Sequence, residues 1–211
     1  MGEKSIYRYE LKYALQESDL VNLYAIISQH PSSFKTAFPD RTVNNIYFDN
    51  VNFQCCFENL NGISERTKIR YRWYGEEEQF SKGKLELKIK KNALGTKKYF
   101  ELDHPNDVND LEFQVKNTLN KHDLQAALHN QYLRSYFIDD SRKYRLTIDR
   151  NLSYWLPNQY SEIPSYSDNR IIVELKFDQE DASTIDKVTR FFPFRLSKHS
   201  KYGSGLMNLV Y

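Results

Sequence analysis

Charged and apolar positions alternate along several short runs of this chain, with the two-residue period of a β-strand. In residues 66–73, Arg66, Lys68, Arg70 and Arg72 fall on one face, and Thr67, Ile69, Tyr71 and Trp73 on the other. Residues 8–13 repeat the pattern, with Arg8, Glu10 and Lys12 alternating with Tyr9, Leu11 and Tyr13. In residues 84–90 the even positions are charged and the odd ones aliphatic. In residues 143–149 the odd positions are polar, and in 173–177 Glu174 and Lys176 oppose Val173, Leu175 and Phe177. One such strand is what a half-solvated sheet looks like. Five of them, each carrying Lys or Arg, predict charged faces with bulky apolar reverse sides. Like charges on one face repel, so such a face suits a polyanion that neutralises it.

The pattern predicts strands over residues 6–13, 42–50, 64–74, 83–91, 96–103, 130–138, 142–150 and 170–178, with glycine turns at Gly75, Gly83 and Gly95. Leu20, Leu23, Tyr24 and Ile27 predict a helix over 17–30, with Ser18 as N-cap and Pro31 as stop. Val108, Leu111, Val115 and Leu119 predict a second over 107–128, and a short third covers 181–191 before Pro193. Residues 156–169 read as the longest loop, and the tail from Leu196 as a stretch of small residues with two lysines. No repeat or linker interrupts residues 1–211, so one domain is expected. About eight antiparallel strands with few helices predict an α+β fold, an antiparallel β-barrel or tunnel with a polar, basic interior. Helices would cover the apolar faces. Buried like charges are costly unless paired, so the interior would hold water, anions or metal.

Composition narrows the function. The chain has 211 residues, 40% hydrophobic, with 16 Tyr and 13 Phe, which suits a β-rich globular fold. A net charge of +2 gives no global basic field, which argues against a nonspecific nucleic-acid binder. Carboxylates must therefore gather somewhere, and Glu76–Glu78 read as a solvated turn. Adjacent Cys55 and Cys56 suit reduced thiols, because neighbouring cysteines meet disulfide geometry poorly. No zinc spacing occurs. No leader pattern or spanning apolar run appears, so a cytoplasmic protein is expected. The five histidines (His30, His104, His122, His129 and His199) read as mostly surface residues, and Asp49 and Asp149 as turn formers at strand ends.

At this point the strands resemble a family, the triphosphate tunnel metalloenzymes (CYTH-like), and within it the VTC (vacuolar transporter chaperone) domain of polyphosphate polymerases. Residues 69–75, Ile-Arg-Tyr-Arg-Trp-Tyr-Gly, are similar to its Ile-Arg-x-Arg-Trp-Tyr-Gly strand. Residues 8–13 resemble its opening strand, 85–88 its Glu-x-Lys strand, 132–136 its Tyr-x-Arg strand and 145–149 its Arg-x-x-x-Asp strand. Residues 173–176 resemble the metal-holding Glu-x-Lys strand, and Ser200-Lys201-Tyr202 the C-terminal Ser-Lys-Tyr/Phe. The matches run in family order across roughly residues 6–202. Arg8 stands where many tunnel triphosphatases carry the first glutamate of Glu-x-Glu-x-Lys, which leaves one potential metal ligand fewer. The expectation is a tunnel domain alone, without the SPX and transmembrane domains of fungal relatives.

The resemblance implies a phosphotransferase acting on a triphosphate. Arg70, Arg72, Lys88 and Lys201 are its expected catalytic cations. Arg134, Arg145 and Lys12 complete the phosphate clamp, with Lys90, Lys97 or Lys98, Lys176 and Lys198 behind them. Arg suits phosphate through its fork and Lys as a point charge. Glu174 is the expected ligand for Mn2+ or Mg2+, joined by Glu10 and Glu86, although Glu86 reads equally as an internal counterion. The expected ligands are a nucleoside triphosphate and inorganic polyphosphate or triphosphate, with no nucleic acid. A separate membrane partner and the oligomeric state stay open. Three alternatives also stay open: a triphosphatase, a non-catalytic polyphosphate or nucleotide binder and, last, an RNA-binding sheet. The last fits poorly because the strand aromatics face away from the cations, whereas a stacking platform needs both on one face.

Overall fold

The computed structural model describes residues 8–91, 94–157 and 164–210. Residues 6–7 of the first expected strand, the middle of the 156–169 loop, and the first residues, on which the leader reading rests, lie outside it. So do the side chains of Arg8, Glu77 and Glu78. Among the described residues nine strands appear: β1 (Arg8–Leu15), β2 (Lys35–Asp49), β3 (Glu65–Tyr74), β4 (Lys84–Lys91), β5 (Leu94–Phe100), β6 (Gln125–Ile138), β7 (Arg145–Trp155), β8 (Tyr166–Asp168) and β9 (Ile171–Asp178). The helices are α1 (Leu20–Ser28), α2 (Gln54–Leu60), α3 (Val108–Leu119), α4 (Asp186–Thr189) and α5 (Lys201–Val210). Hydrogen bonding runs in the order β1-β9-β7-β6-β2-β3-β4-β5, with β8 on β7. The fold is thus α+β on an antiparallel sheet, with β1 and β5 at the ends of the strand order. No helix of the described residues is long and apolar enough to cross a membrane.

The chain forms two compact units. The first comprises Met1–Arg41, Leu133–Leu152 and Asp168–His199. In it β1 pairs with β9 and β7 with β9, so Leu11 lies across from Leu175 and Ile148 from Val173. The apolar faces meet α1 through Leu23 and Ile27, and Val188 of α4 joins the same core. The start of α1 differs from the expected Ser18 cap. Gln16 N–H donates to Asp19 Oδ2 at 3.0 Å, and a 3-10 turn over Glu17–Asp19 leads into the helix.

The second unit comprises Thr42–Tyr132, Ser153–Ser167 and Ser200–Tyr211. Here β2, β3, β4 and β5 form a continuous ladder. Its apolar face, with Ile46, Phe48, Ile69, Tyr71, Trp73 and Leu85, packs on Leu111 and Val115 of α3. This helix is shorter than expected. Asn120 takes a left-handed conformation (φ 49°) and ends it, and β6 begins at Gln125, inside the expected helix over 107–128. The small-residue tail is a helix, α5. Gly205 lets it approach closely, because a Cβ there would collide with the Tyr154 ring and lie 2.8 Å from Leu128 Cδ2. β2 and β7 also run longer than expected, to Lys35–Asp49 and Arg145–Trp155.

Candidate functional site

In the second unit the register gathers the cations on one face of the ladder. Directly opposed residues share a face, and Arg66 lies across from Lys90, Lys68 from Lys88, Arg70 from Glu86, and Arg72 from Lys84. On the next strand Lys88 meets Lys97 and Leu87 meets Lys98, so Lys97 joins the charged face and Lys98 does not. Asn45 lies across from Arg72 and Tyr47 from Arg70. Three of the four expected catalytic cations, Arg70, Arg72 and Lys88, therefore share this face. The fourth, Lys201, is buried with its Nζ 4.7 Å above the Tyr132 ring.

Each arginine has a defined anchor. Arg70 Nε and one NH2 group donate to Glu86 Oε2, the former at 2.9 Å. Burial alone would raise the Glu86 carboxyl, but Arg70 first, then Arg72 and Lys97, hold it down at about 2. In this structure Glu86 is ion-paired with Arg70. Arg72, 8% exposed, donates through Nε to Asn45 Oδ1 at 2.7 Å and through NH2 to Tyr132 OH at 3.0 Å. Its NH1 group donates to nothing among the described residues. Asn45 in turn donates to Asn130 Oδ1 at 2.9 Å. Neither asparagine was singled out from the sequence. For Asn45 the signal was a polar pair, Asn44-Asn45, beside the apolar Ile46-Tyr47-Phe48.

The Ser-Lys-Tyr segment is explained by α5. Ser200 Oγ accepts from Gly203 N at 3.2 Å, an N-terminal cap, and from Lys68 Nζ at 2.9 Å. Lys201 opens the helix, and Tyr202 OH donates to Asp49 Oδ2 at 2.7 Å. Asp49 also accepts from the amides of Cys55 and Cys56, both at 2.9 Å, so it does cap the turn into α2. The two thiols are free, and burial first, then Asp49, pushes them up to about 12 and about 11.

In the first unit the charged face pairs its cations with carboxylates. Lys12 Nζ contacts Glu10 at 2.9 Å and Glu174 at 3.2 Å, and donates to His199 O at 3.2 Å. Burial opposes its charge, but Glu174 and Glu10 outweigh that and raise its pKa. The other Glu174 oxygen accepts from Lys176 at 2.6 Å and lies 3.5 Å from Arg134. Arg134 donates through Nε and NH2 to both oxygens of Asp149, at 2.5 and 2.7 Å. Asp149 is therefore no turn former. It sits within β7, fully buried, and neutralises Arg134. Arg145 lies across from Lys176 and 3.5 Å from Asp178, while Lys198 is exposed.

This donor set fits a hard divalent ion. Glu174 and Glu10 already share one cation, the Lys12 ammonium. Thr147, directly across from Glu174, is 7% exposed, and its hydroxyl has no partner among the described residues. Those residues contain no group of three or more His, Cys, Asp or Glu arranged for a metal. One or two carboxylates with the remaining ligands from phosphate and water is the usual arrangement for magnesium.

Three histidines depart from the surface reading. His30, His129 and His199 are buried. His129 lies between the Trp73 and Trp155 rings, at 5.4 and 5.1 Å, and desolvation lowers its pKa to about 3. The aromatic reading also needs a correction. Tyr47 and Tyr99 are register partners of Arg70 and Glu86, and Tyr132 is bonded to Arg72, so aromatics do occur among these cations.

A family model of the VTC domain matches residues 7–210. No curated protein sequence matches the chain. Several solved structures share its fold. PH1819 from Pyrococcus horikoshii OT3 has a TM-score of 0.56 at 12% identity, covering 96% of this chain and 99% of that one. HpAC1 from Hippeastrum, a candidate adenylyl cyclase with a dominant triphosphatase activity, has a TM-score of 0.53 at 13% identity, with 98% of each chain covered. A candidate adenylate cyclase from Vibrio parahaemolyticus has a TM-score of 0.53 at 12% identity, covering 97% and 99%. At these identities the likeness is one of fold. The match across nearly the whole length makes this chain a member of the VTC domain family.

Proposed function

We propose that the chain carries out metal-dependent phosphoryl transfer in the cytoplasm, passing the terminal phosphoryl group of a nucleoside triphosphate to inorganic polyphosphate. The observation that carries this reading is the ladder face of the second unit. Arg70, Arg72, Lys88, Lys90 and Lys97 converge there by register, and the Arg72 NH1 group hydrogen-bonds nothing among the described residues. Membership of the VTC family supports triphosphate chemistry.

Phosphoryl transfer asks little covalent chemistry of a protein, so positioning and charge neutralisation supply most of the rate. The roles follow from the anchors. Glu86 holds the Arg70 fork steady, and Asn45 with Tyr132 orients Arg72 through neutral oxygens, so its charge stays available to phosphate. Lys201, fixed on Tyr132, and Lys88 and Lys90 add point charges. Lys12, Arg134, Arg145, Lys176 and Lys198 form the second set of phosphate cations, in the first unit. Glu174, with Glu10, would hold magnesium or manganese, which when bound neutralises charge on phosphate oxygens.

Incubation with ATP and manganese should yield long phosphate chains. Free phosphate alone would favour the second reading, hydrolysis, which the triphosphatase activity of HpAC1 supports. Tight, salt-sensitive binding without turnover would favour a non-catalytic binder.

The same face sets a pH dependence. Lys97 keeps contact with solvent, yet desolvation first, then repulsion from Arg70, Arg72 and Lys88, lowers its pKa to about 8 against Glu86. Its folded pKa lies below its unfolded value, so folding releases a proton between the two, and stability rises with pH across that window. A bound triphosphate restores the protonated form. Triphosphate affinity should therefore weaken as pH rises through about 8. The Lys97→Gln variant should lose that step in a calorimetric titration. A parent profile flat through this range would remove Lys97 from the phosphate site.

A further inference from the structure

The first unit carries an aromatic cluster that the phosphate chemistry does not use. It lies on the outer half of β2, where Lys35, Thr36, Pro39, Asp40 and Arg41 are exposed. Phe38 stands among them, 53% exposed. A single exposed phenylalanine is ordinary, but this one has a built setting. The Tyr136 ring meets it edge-on, at 5.8 Å between centroids and 88° between planes. The Arg41 guanidinium lies over both rings, 5.2 Å from Phe38 and 5.8 Å from Tyr136.

The position of Tyr136 gives the cluster its direction. On β6, Tyr136 follows Arg134 by two residues, so their side chains leave the same face, about 7 Å apart along the strand. Ser135 and Phe137 point the other way, where both meet Tyr24 of α1. The Tyr136 ring therefore stands on the same side of β6 as Arg134 and its partners Asp149 and Glu174, and Phe38 meets its edge. We propose that Phe38, Tyr136 and Arg41 form a stacking platform for the base of the nucleoside triphosphate, with the sugar leading toward Arg134. Every base has a π-face, so such a platform accepts any base. Phe38, 53% exposed, presents ring surface to solvent, and Arg41 adds a cation–π contact.

The inference rests on the nucleoside triphosphate reading above and adds the place in the first unit where the base of that nucleotide is held. The test measures binding of ethenoadenosine triphosphate, by quenching of its fluorescence, and of inorganic triphosphate, by calorimetry. Both are run on the parent and on Phe38→Ala and Phe38→Leu, the leucine variant keeping an apolar side chain without a ring. Stacking predicts that both variants weaken the nucleotide about tenfold or more, abolish the quenching and leave inorganic triphosphate unchanged. Variants that bind both ligands like the parent, or weaken both alike, overturn the platform. A parent that binds neither ligand overturns the triphosphate reading and the platform with it. A parent that binds inorganic triphosphate without quenching the nucleotide overturns the platform alone.

Discussion

The Asp149→Asn variant is expected to lose about 3–5 kcal/mol of unfolding free energy. Asp149 is fully buried and accepts both donors of the Arg134 fork. Asparagine keeps the shape but removes the charge, and leaves a guanidinium that is itself 8% exposed. Glu174, 3.5 Å away, already answers Lys12 and Lys176 and cannot compensate fully. Breaking a buried pair from one side costs more than the pair contributes, because the remaining ion stays desolvated. For a chain of this size the loss corresponds to a fall in Tm of roughly 10 °C or more. Urea unfolding followed by tryptophan fluorescence and circular dichroism measures it. A midpoint within error of the parent's would mean that Arg134 finds another anchor.

Arg72→Ala is expected to act on turnover. Removing one preorganised donor from a charge-stabilising site typically lowers kcat by about 10²–10³-fold. Arg72 carries more than a donor, because its full charge is oriented by Asn45 and Tyr132 while its NH1 group stays available. The substitution also leaves the Asn45 and Tyr132 oxygens with one donor fewer, at about 1–3 kcal/mol of stability. Phosphate release and chain formation, measured beside the thermal midpoint, separate the two effects. Turnover within a few-fold of the parent would take Arg72 out of the machinery. Arg72→Lys tests the geometry, since a lysine brings the charge without the fork.

The charged strands were legible because their information is local. Period-two alternation puts Arg66, Lys68, Arg70 and Arg72 on one face whatever partner the strand finds, and β3, β4 and β9 appear within a residue or two of their expected bounds. Where local signals conflicted, the reading failed. The helix expected from Val108, Leu111, Val115 and Leu119 ran on to residue 128, but the left-handed Asn120 stops α3, and residues 125–138 find a sheet to join. α5 was hidden by Gly203 and Gly205, which look like loop residues and serve instead to let the helix approach Leu60 and Tyr154.

Partner choice was the other blind spot. Asp149 looked like a turn former because nothing in Arg145–Asp149 shows that Arg134, fifteen residues earlier in the chain, ends beside it. Asn45 and Asn130 are ordinary polar residues until the register sets them next to Arg72. His129 looked like a surface residue until two tryptophans closed on it.

From order of residues alone came the strand faces, their chemistry and the family they belong to, since side-chain direction along a strand depends only on neighbouring residues. How charge is matched could not be read that way. That the second unit's face keeps a surplus of cations, while Lys12, Arg134, Arg145 and Lys176 of the first unit each meet a carboxylate, depends on register between strands far apart in the chain. Electrostatic energy follows distance in space, and folding sets that distance.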